Sequence, residues 1–312
     1  MALFPRPILT NGATHSAQQF RMLVRDLARG AEGITEGDDL KVSQLGTPGG
    51  GVQVGDGSGV VKGRVSAYQG HYSVCNIGAT TVTVAATGGT PRSDLVILRV
   101  EDPEYEGVLN PATDQICYFQ IISNVSASTT WIPDGRTGIP LARIDIPAST
   151  SAITNAMIKD IRVVANPRRE TQILTQSPAT ASANIGGTSG TMTYFSTLAG
   201  WNVWIPDWVA VARISLTVGG LRGTTGSFYG ALGATFGASL PLQSILLDDN
   251  AGATVRRSTQ MLADTLTIPA NYRGTNQILR LQAAGYVGNA GNLQVDNVTT
   301  VTANIEFSEA PR

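Results

Sequence analysis

The stretch Gly138-Ile139-Pro140-Leu141-Ala142-Arg143-Ile144-Asp145-Ile146-Pro147 decides the fold class. Arg143 and Asp145 alternate with Ile144 and Ile146, the period of a β-strand with one solvated face, and Leu141 precedes them. That period recurs from residue 40 onward. Residues 40–42, 51–54, 60–68, 71–77 and 80–86 read as short strands broken by Gly-rich turns. Residues 94–101, 115–123, 139–146 and 153–161 read as stronger ones. The polar segment Asn166-Pro167-Arg168-Arg169-Glu170 then breaks the pattern and places a domain boundary. Beyond it, strand-like runs fall at 191–196, 209–218, 227–236, 242–247, 254–258, 264–268, 277–283 and 298–307. Short strands at this spacing predict an antiparallel sandwich of the jelly-roll kind. The expected fold is therefore mainly β, in two β-rich domains. An arm and docking helix occupy 1–39, a β-rich domain 40–165, a linker 166–190 and a C-terminal β-sandwich 191–312.

Only one helix is expected. It follows the extended arm Phe4-Pro5-Arg6-Pro7. Ser16 and Gln19 make a capping-box pair, and Phe20, Leu23, Val24, Leu27 and Ala31 form one apolar stripe before Gly30 or Gly33 ends the run. Phe20, Leu23 and Leu27 call for burial, at about 1.5–3 kcal/mol per large side chain, so the helix reads as a docking element.

Charged residues make up 14% of the 312 residues and the net charge is -1, with Gly, Thr, Ser, Ala and Asn in their place. No global field attracts nucleic acid or an anionic membrane, and no run is long enough for a membrane span. So polar and weakly charged a surface suits extended protein contacts, and a homo-oligomer, a trimer, is expected. The opening residues lack the basic-then-apolar pattern of a secretory signal. The two cysteines, Cys75 and Cys117, form no framework and read as buried free thiols in a reducing compartment.

Four stretches carry a resemblance. They are 60–65 with His71-Tyr72, Thr90-Pro91-Arg92-Ser93-Asp94 running into 95–100, the 138–147 stretch, and Ile158-Lys159-Asp160-Ile161-Arg162. In order and spacing, from about residue 40 to 163, the first unit resembles minor tail or baseplate proteins of long-tailed bacteriophages, particularly those of actinobacterial hosts. The resemblance implies a structural component of the tail tip, assembled in the host cytoplasm with itself and other tail proteins, with no catalytic residues to carry over and no cofactor. The second unit looks more loosely like the distal domains of such proteins. The residues read the same way without it. Asp94 at a turn can accept backbone N–H bonds and pair with Arg92 or Arg99, a role in keeping the fold.

Catalytic chemistry finds few supports. The only histidines are His15 and His71, and no G-x-S-x-G elbow exists. The Gly-rich stretch 46–59 lacks the Gly-Lys-Ser/Thr of a phosphate loop. No His/Cys metal set is present. Asp248-Asp249-Asn250 near Gly252 could offer oxygens to calcium, although a hairpin turn is the simpler reading. The acidic run Glu101, Asp102, Glu104 and Glu106 reads as a solvated loop, with a hydrolase pair such as Glu101 and Glu104 as an alternative. In the second unit Trp201, Trp204 and Trp208 stand close in sequence. An adhesin would use Trp201, Trp208, Tyr229 and Tyr286 to stack on host cell-wall glycan, whereas at least one Trp must be core.

Overall fold

The computed structural model describes residues 7–8, 10–196 and 199–312, so Phe4, Pro5 and Arg6 of the expected arm lie outside the described residues. The chain divides into two compact units, one running up to Pro167 and including Ala310–Arg312, the other Arg168–Glu309.

In the first unit Ser16 caps α1 (Ala17–Leu27). Its hydroxyl accepts the Gln19 N–H at 3.2 Å, and the Gln19 side chain accepts the Ser16 N–H at 3.0 Å, which satisfies two of the orphan donors of a helix start. Ten strands follow: β1 (Gly33–Ile34), β2 (Val42–Gly49), β3 (Gly51–Val54), β4 (Gly57–Lys62), β5 (His71–Asn76), β6 (Thr80–Thr83), β7 (Arg92–Val100), β8 (Cys117–Val125), β9 (Gly138–Ile146) and β10 (Ile158–Asp160). They form three antiparallel sheets in the orders β1-β4-β5, β2-β3-β6 and β10-β9-β7-β8. One core joins all three, through Val52, Val54, Val61, Val96, Leu98, Ile139, Leu141 and Ile144 among others. Inside the last sheet β7 is buried on both faces from Asp94 to Leu98, which explains its continuous apolar run. Asp94 itself is fully buried. Arg92 grips its carboxylate from 2.8 Å, and it accepts the Asn124 N–H at 3.0 Å.

The second unit holds β11 (Arg169–Gln176), β12 (Thr193–Tyr194), β13 (Gly200–Ile205), β14 (Val211–Thr224), β15 (Tyr229–Phe236), β16 (Leu240–Pro241), β17 (Ile245–Asp248), β18 (Arg256–Thr267), β19 (Thr275–Gly285), β20 (Asn292–Gln294) and β21 (Thr300–Ser308). One sheet runs β11-β21-β14-β18, with β20 also on β14. The other runs β12-β19-β15-β16, with β13 on β19 and β17 on β15. Counting β12 with β13 and β16 with β17, the principal strands are ordered first-eighth-third-sixth and second-seventh-fourth-fifth. That is the wiring of a jelly roll. Ile214, Leu216, Ile305 and Phe307 from one sheet and Leu232, Phe236, Leu279 and Leu281 from the other share a single core. At Gly219-Gly220 the register of β14 slips. Gly220 has φ +75, and a Cβ there would lie 2.8 Å from the Val298 carbonyl, so glycine is required.

Several expectations need correction. The stretch 166–190 contains β11, paired along its whole length with β21. It is an edge strand with one face exposed and the other half-buried, and so carries little apolar pattern. The expected runs 254–258 and 264–268 are joined, from Arg256 to Thr267, in one continuous β18. Residues 248–252 are not a hairpin turn, because β17 pairs with β15 and β18 pairs with β14. They carry the chain from one sheet of the sandwich to the other. Cys75 is exposed and Cys117 half-buried. Tyr72 and Val74 pack on the core, so the intervening Ser73 and Cys75 point the other way.

Two outcomes follow for solution behaviour. Burial pushes the Cys117 thiol up to about 11. At about pH 8, on the order of one Cys117 in a thousand is thiolate. Iodoacetamide should therefore label Cys75 in the native protein and Cys117 only after unfolding, as read by peptide mass spectrometry. Hydrogen bonds from Arg257, the shorter at 2.6 Å, hold the Asp296 carboxyl below its usual range. A depressed carboxylate contributes stability that is present above its unfolded value, about pH 4, and is lost as the pH falls through the folded value. Between about pH 6 and pH 2.5 the wild type should lose more of its urea midpoint than Asp296→Asn does.

Candidate functional site

The apolar stripe of α1 is not what holds the helix. Phe20 is 47% exposed and Leu27 71%, while Leu23 is half-buried. The one buried residue of the helix is Arg21. Its Nε donates to the Gln69 carbonyl at 2.8 Å, and Nη2 donates to Glu104 at 2.7 Å and to the Tyr105 hydroxyl at 3.1 Å. Nη1 lies 3.3 Å from Asp102. The guanidinium carbon also sits 5.5 Å from the Tyr72 ring centre and 5.2 Å from that of Tyr105, within cation–π range. Within the chain Phe20 and Leu27 thus stay open, and a polar anchor fixes α1 while these two side chains face outward. His15 meets Phe20 edge-on with ring centres 6.2 Å apart.

The anchor extends into β5 and the acidic run. Tyr72 donates to Asp102 at 2.7 Å and accepts from Gln69 at 3.0 Å. Burial, reinforced by Asp102, raises the Tyr72 phenol far above its ordinary value. Burial also opposes the Arg21 charge, but hydrogen bonds to Glu104 and Tyr105 outweigh it and raise the guanidinium pKa. Gly70 has φ +79, and a Cβ there would stand 2.7 Å from the Arg21 carbonyl carbon. The helix backbone therefore lies directly on the Gly70 turn.

The remaining carboxylates of the run are also engaged. Glu101 accepts the Tyr118 hydroxyl at 2.7 Å and lies 3.4 Å from Arg99. Glu106 lies 3.7 Å from Arg99 and accepts the Thr137 N–H at 3.3 Å. Glu101 and Glu104 thus answer to different cations, Arg99 and Arg21. The run is ion-paired structure rather than a solvated loop. His71 is buried in β5, and among the described residues neither ring nitrogen has a hydrogen-bond partner. No cluster of metal-ligating side chains occurs among the described residues. Both oxygens of Asp249 face Arg256 at 2.7 Å, so an internal cation occupies the carboxylate that calcium would use. No helix among the described residues is long and apolar enough to cross a membrane.

The four aromatics of the second unit fall into two groups. Trp201 and Trp208 pack against the sandwich core, and the Arg168 guanidinium covers the Trp208 ring at 5.4 Å. Tyr229 and Tyr286 form an edge-to-face pair with ring centres 5.9 Å apart. Trp201 lies opposite Leu279 on β19, whereas Gly230, next to Tyr229, lies opposite Gly285. Six strand positions separate the groups, about 20 Å. Trp204, 51% exposed, is the most open ring of the Trp group. Periodicity could not reveal the Arg21 anchor, since position 21 lies off the apolar stripe. The legible signal was an acidic run with more carboxylates than the one neighbouring cation, Arg99, can pair.

No family model matches this chain, and no curated protein matches it. Among solved structures, the infectious bursal disease virus Gt strain is similar at 10% identity, covering 90% of this chain and 76% of that one, with a TM-score of 0.26. The VP2 subviral particle of infectious bursal disease virus follows at 13% identity, 90% and 79% coverage, and a TM-score of 0.25. A Bacillus thuringiensis Cry1Da tryptic core variant gives 11%, 98%, 57% and 0.17. At such TM-scores the likeness speaks to neither a shared fold nor a shared function.

Removing the anchor should expose its worth. Arg21→Ala strips the buried Asp102 of its cation and is expected to lower stability by about 3 kcal/mol in urea unfolding. Arg21→Lys should recover only part, because an ammonium cannot reproduce the planar fork.

Proposed function

We propose that the chain is a structural subunit of a bacteriophage tail tip or baseplate, assembled by protein–protein contacts without turnover. The observation that carries this reading is the outward ridge of α1. Phe20 and Leu27 lie open on a helix that Arg21 holds firmly in place. A rigid scaffold that presents large apolar side chains to solvent is the arrangement of a docking surface.

Two features support the same reading. The stretches that carry the tail-protein resemblance fall on β4, β5, β7, β9 and β10, and the last three are adjacent strands of one sheet. Pieces weak as separate motifs thus belong to one structural unit. In the second unit, two outward rows of the β11-β21-β14-β18 sheet carry no charge. Thr175, Thr302, Thr217 and Met261 stand side by side in register, next to Ile173, Asn304, Ser215 and Ala263. Such a face has few charges to desolvate at an interface. The proposed partners are further copies of the chain, as a trimer, and other tail proteins. A glycan adhesin built on Trp201, Trp208, Tyr229 and Tyr286 has less support, because those rings do not share one face. A hydrolase using Glu101 and Glu104 has less support as well, since each carboxylate is held by its own arginine.

Replacing Phe20 and Leu27 with Asp tests the reading directly. Both side chains are exposed, so the double variant should fold with a wild-type melting temperature and fail to enter particles. Incorporation at normal yield, together with a stable monomer in analytical ultracentrifugation of the wild type, would overturn it.

A further inference from the structure

The two outermost strands of the β11-β21-β14-β18 sheet each leave one side of their backbone unpaired. β18, of 12 residues, pairs only with β14, and β11, of 8 residues, only with β21. The Ile268 N–H donates to the Ala210 carbonyl at 2.9 Å, in register with the β14–β18 pairing. Even-numbered positions of β18 therefore bond to β14, and Met261 and Ala263 direct their N–H and C=O groups to the open side. At the other edge the Glu309 N–H donates to the Arg168 carbonyl at 3.1 Å. By the same alternation Thr171, Ile173 and Thr175 of β11 point their backbone groups away from the sheet. All of these side chains stand on the exposed face, Met261 at 65% and Ile173 at 72%.

Open edges are templates for strand pairing, and proteins commonly blunt them with charge or proline. Residues 258–263 of β18 and 171–176 of β11 contain neither. A guard stands only beyond them, at Asp264. Its carboxylate accepts the Thr265 N–H at 2.7 Å and the Gln243 N–H at 2.8 Å, which closes the edge just past Ala263.

We propose that β18 of one copy pairs antiparallel with β11 of the next, so that the sheet runs on from chain to chain. This pairing rests on the self-association in the assembly reading and names the edges through which copies meet. β11 and β18 run in opposite directions within the sheet, because each of the three steps between them is antiparallel. A rotation about an axis along the strands therefore brings the two edges together antiparallel, with the exposed face continuous. Such a head-to-tail contact uses two different edges, and a rotation that closes gives a ring. A rotation without rise requires that the rows of the sheet continue without stagger. Thr175 of the next copy then lies beside Met261, Leu174 beside Leu262 and Ile173 beside Ala263. In this register the outward-bonding positions of both strands coincide. Leu174 extends the buried side at Leu262, and Asp264 meets Gln172. A slip that set Ile173 beside Met261 would instead place Asp264 against Glu170, two like charges directly opposite.

Analytical ultracentrifugation of the full chain tests the pairing with Ala263→Pro and Ile173→Pro. Each removes an N–H that points away from the sheet, so each variant should keep the wild-type melting temperature. The wild type should sediment as a trimer, and each variant alone as a monomer. An equimolar mixture of the two should give a 1:1 heterodimer and nothing larger, because only the β18 of Ile173→Pro and the β11 of Ala263→Pro remain open. Should a proline variant unfold, Ala263→Lys and Ile173→Lys at the same exposed positions carry the test by charge. A monomeric wild type, a folded single variant that still self-associates, or a mixture that stays monomeric overturns the proposal. If the edge variants remain trimeric while the Phe20 and Leu27 double variant is monomeric, edge pairing fails and the assembly reading stands.

Discussion

A guanidinium taken out of water must find acceptors for five N–H donors and a countercharge, and the first unit depends on meeting this demand in two places. Arg21 gathers Gln69, Asp102, Glu104 and two tyrosine rings, and so ties α1 to β5 and to the segment after β7. Arg162, whose side chain is fully buried, forks onto Asp160 at 2.7 and 2.9 Å and donates to the carbonyls of Asp39 and Arg312. The end of β10, the turn before β2 and the last residues of the unit are thereby held by one side chain. Lysines stand only at 41, 62 and 159, so Arg supplies the other 19 of the 22 basic residues. The preference follows from geometry, because a planar fork can satisfy carboxylate, carbonyl and ring face at once while an ammonium is a point charge.

How much of this was legible depended on where each pattern was generated. β7 and β9 were plain because burial on one or both faces writes directly into the period of the sequence. The capping box at Ser16 and Gln19 was equally local. The sandwich could be foreseen from strand spacing, but its wiring could not, and a turn-rich stretch at 248–252 looked like a hairpin although it crosses between sheets. β11 was invisible because an edge strand needs few apolar residues. The helix misled for the opposite reason. Its stripe was real, yet burial went to Arg21, whose partners lie 48 to 84 positions away.

The candidate aromatics show the same limit. Trp201, Trp204 and Trp208 are close in sequence, but strand alternation splits them. Val203 and Ile205 face the core, so Trp204 between them turns outward, while Trp201 packs inward. Trp131 drew no notice, because a single Trp in a loop carries no periodic signal. Glu32, Arg64 and Val163 come beside it only in the fold.

The two exposed surfaces would contribute to association through different physics. The ridge of α1 offers Phe20 and Leu27, which gain by leaving water. The face of the β11-β21-β14-β18 sheet offers short side chains such as Thr175, Thr302, Thr217 and Ser215. These lose little rotamer freedom on burial, and β-branched threonine is already stiff in a strand. Such a face gains little per unit area, but fitting another surface against it also costs little, and its regular register permits close approach. Affinity is then best concentrated on the apolar ridge, with the broad sheet face adding complementarity. A weakly charged chain can separate those tasks, because the charges that do stand on these surfaces, Arg213 with Glu306 and Arg25 with Asp26, are already paired within the chain.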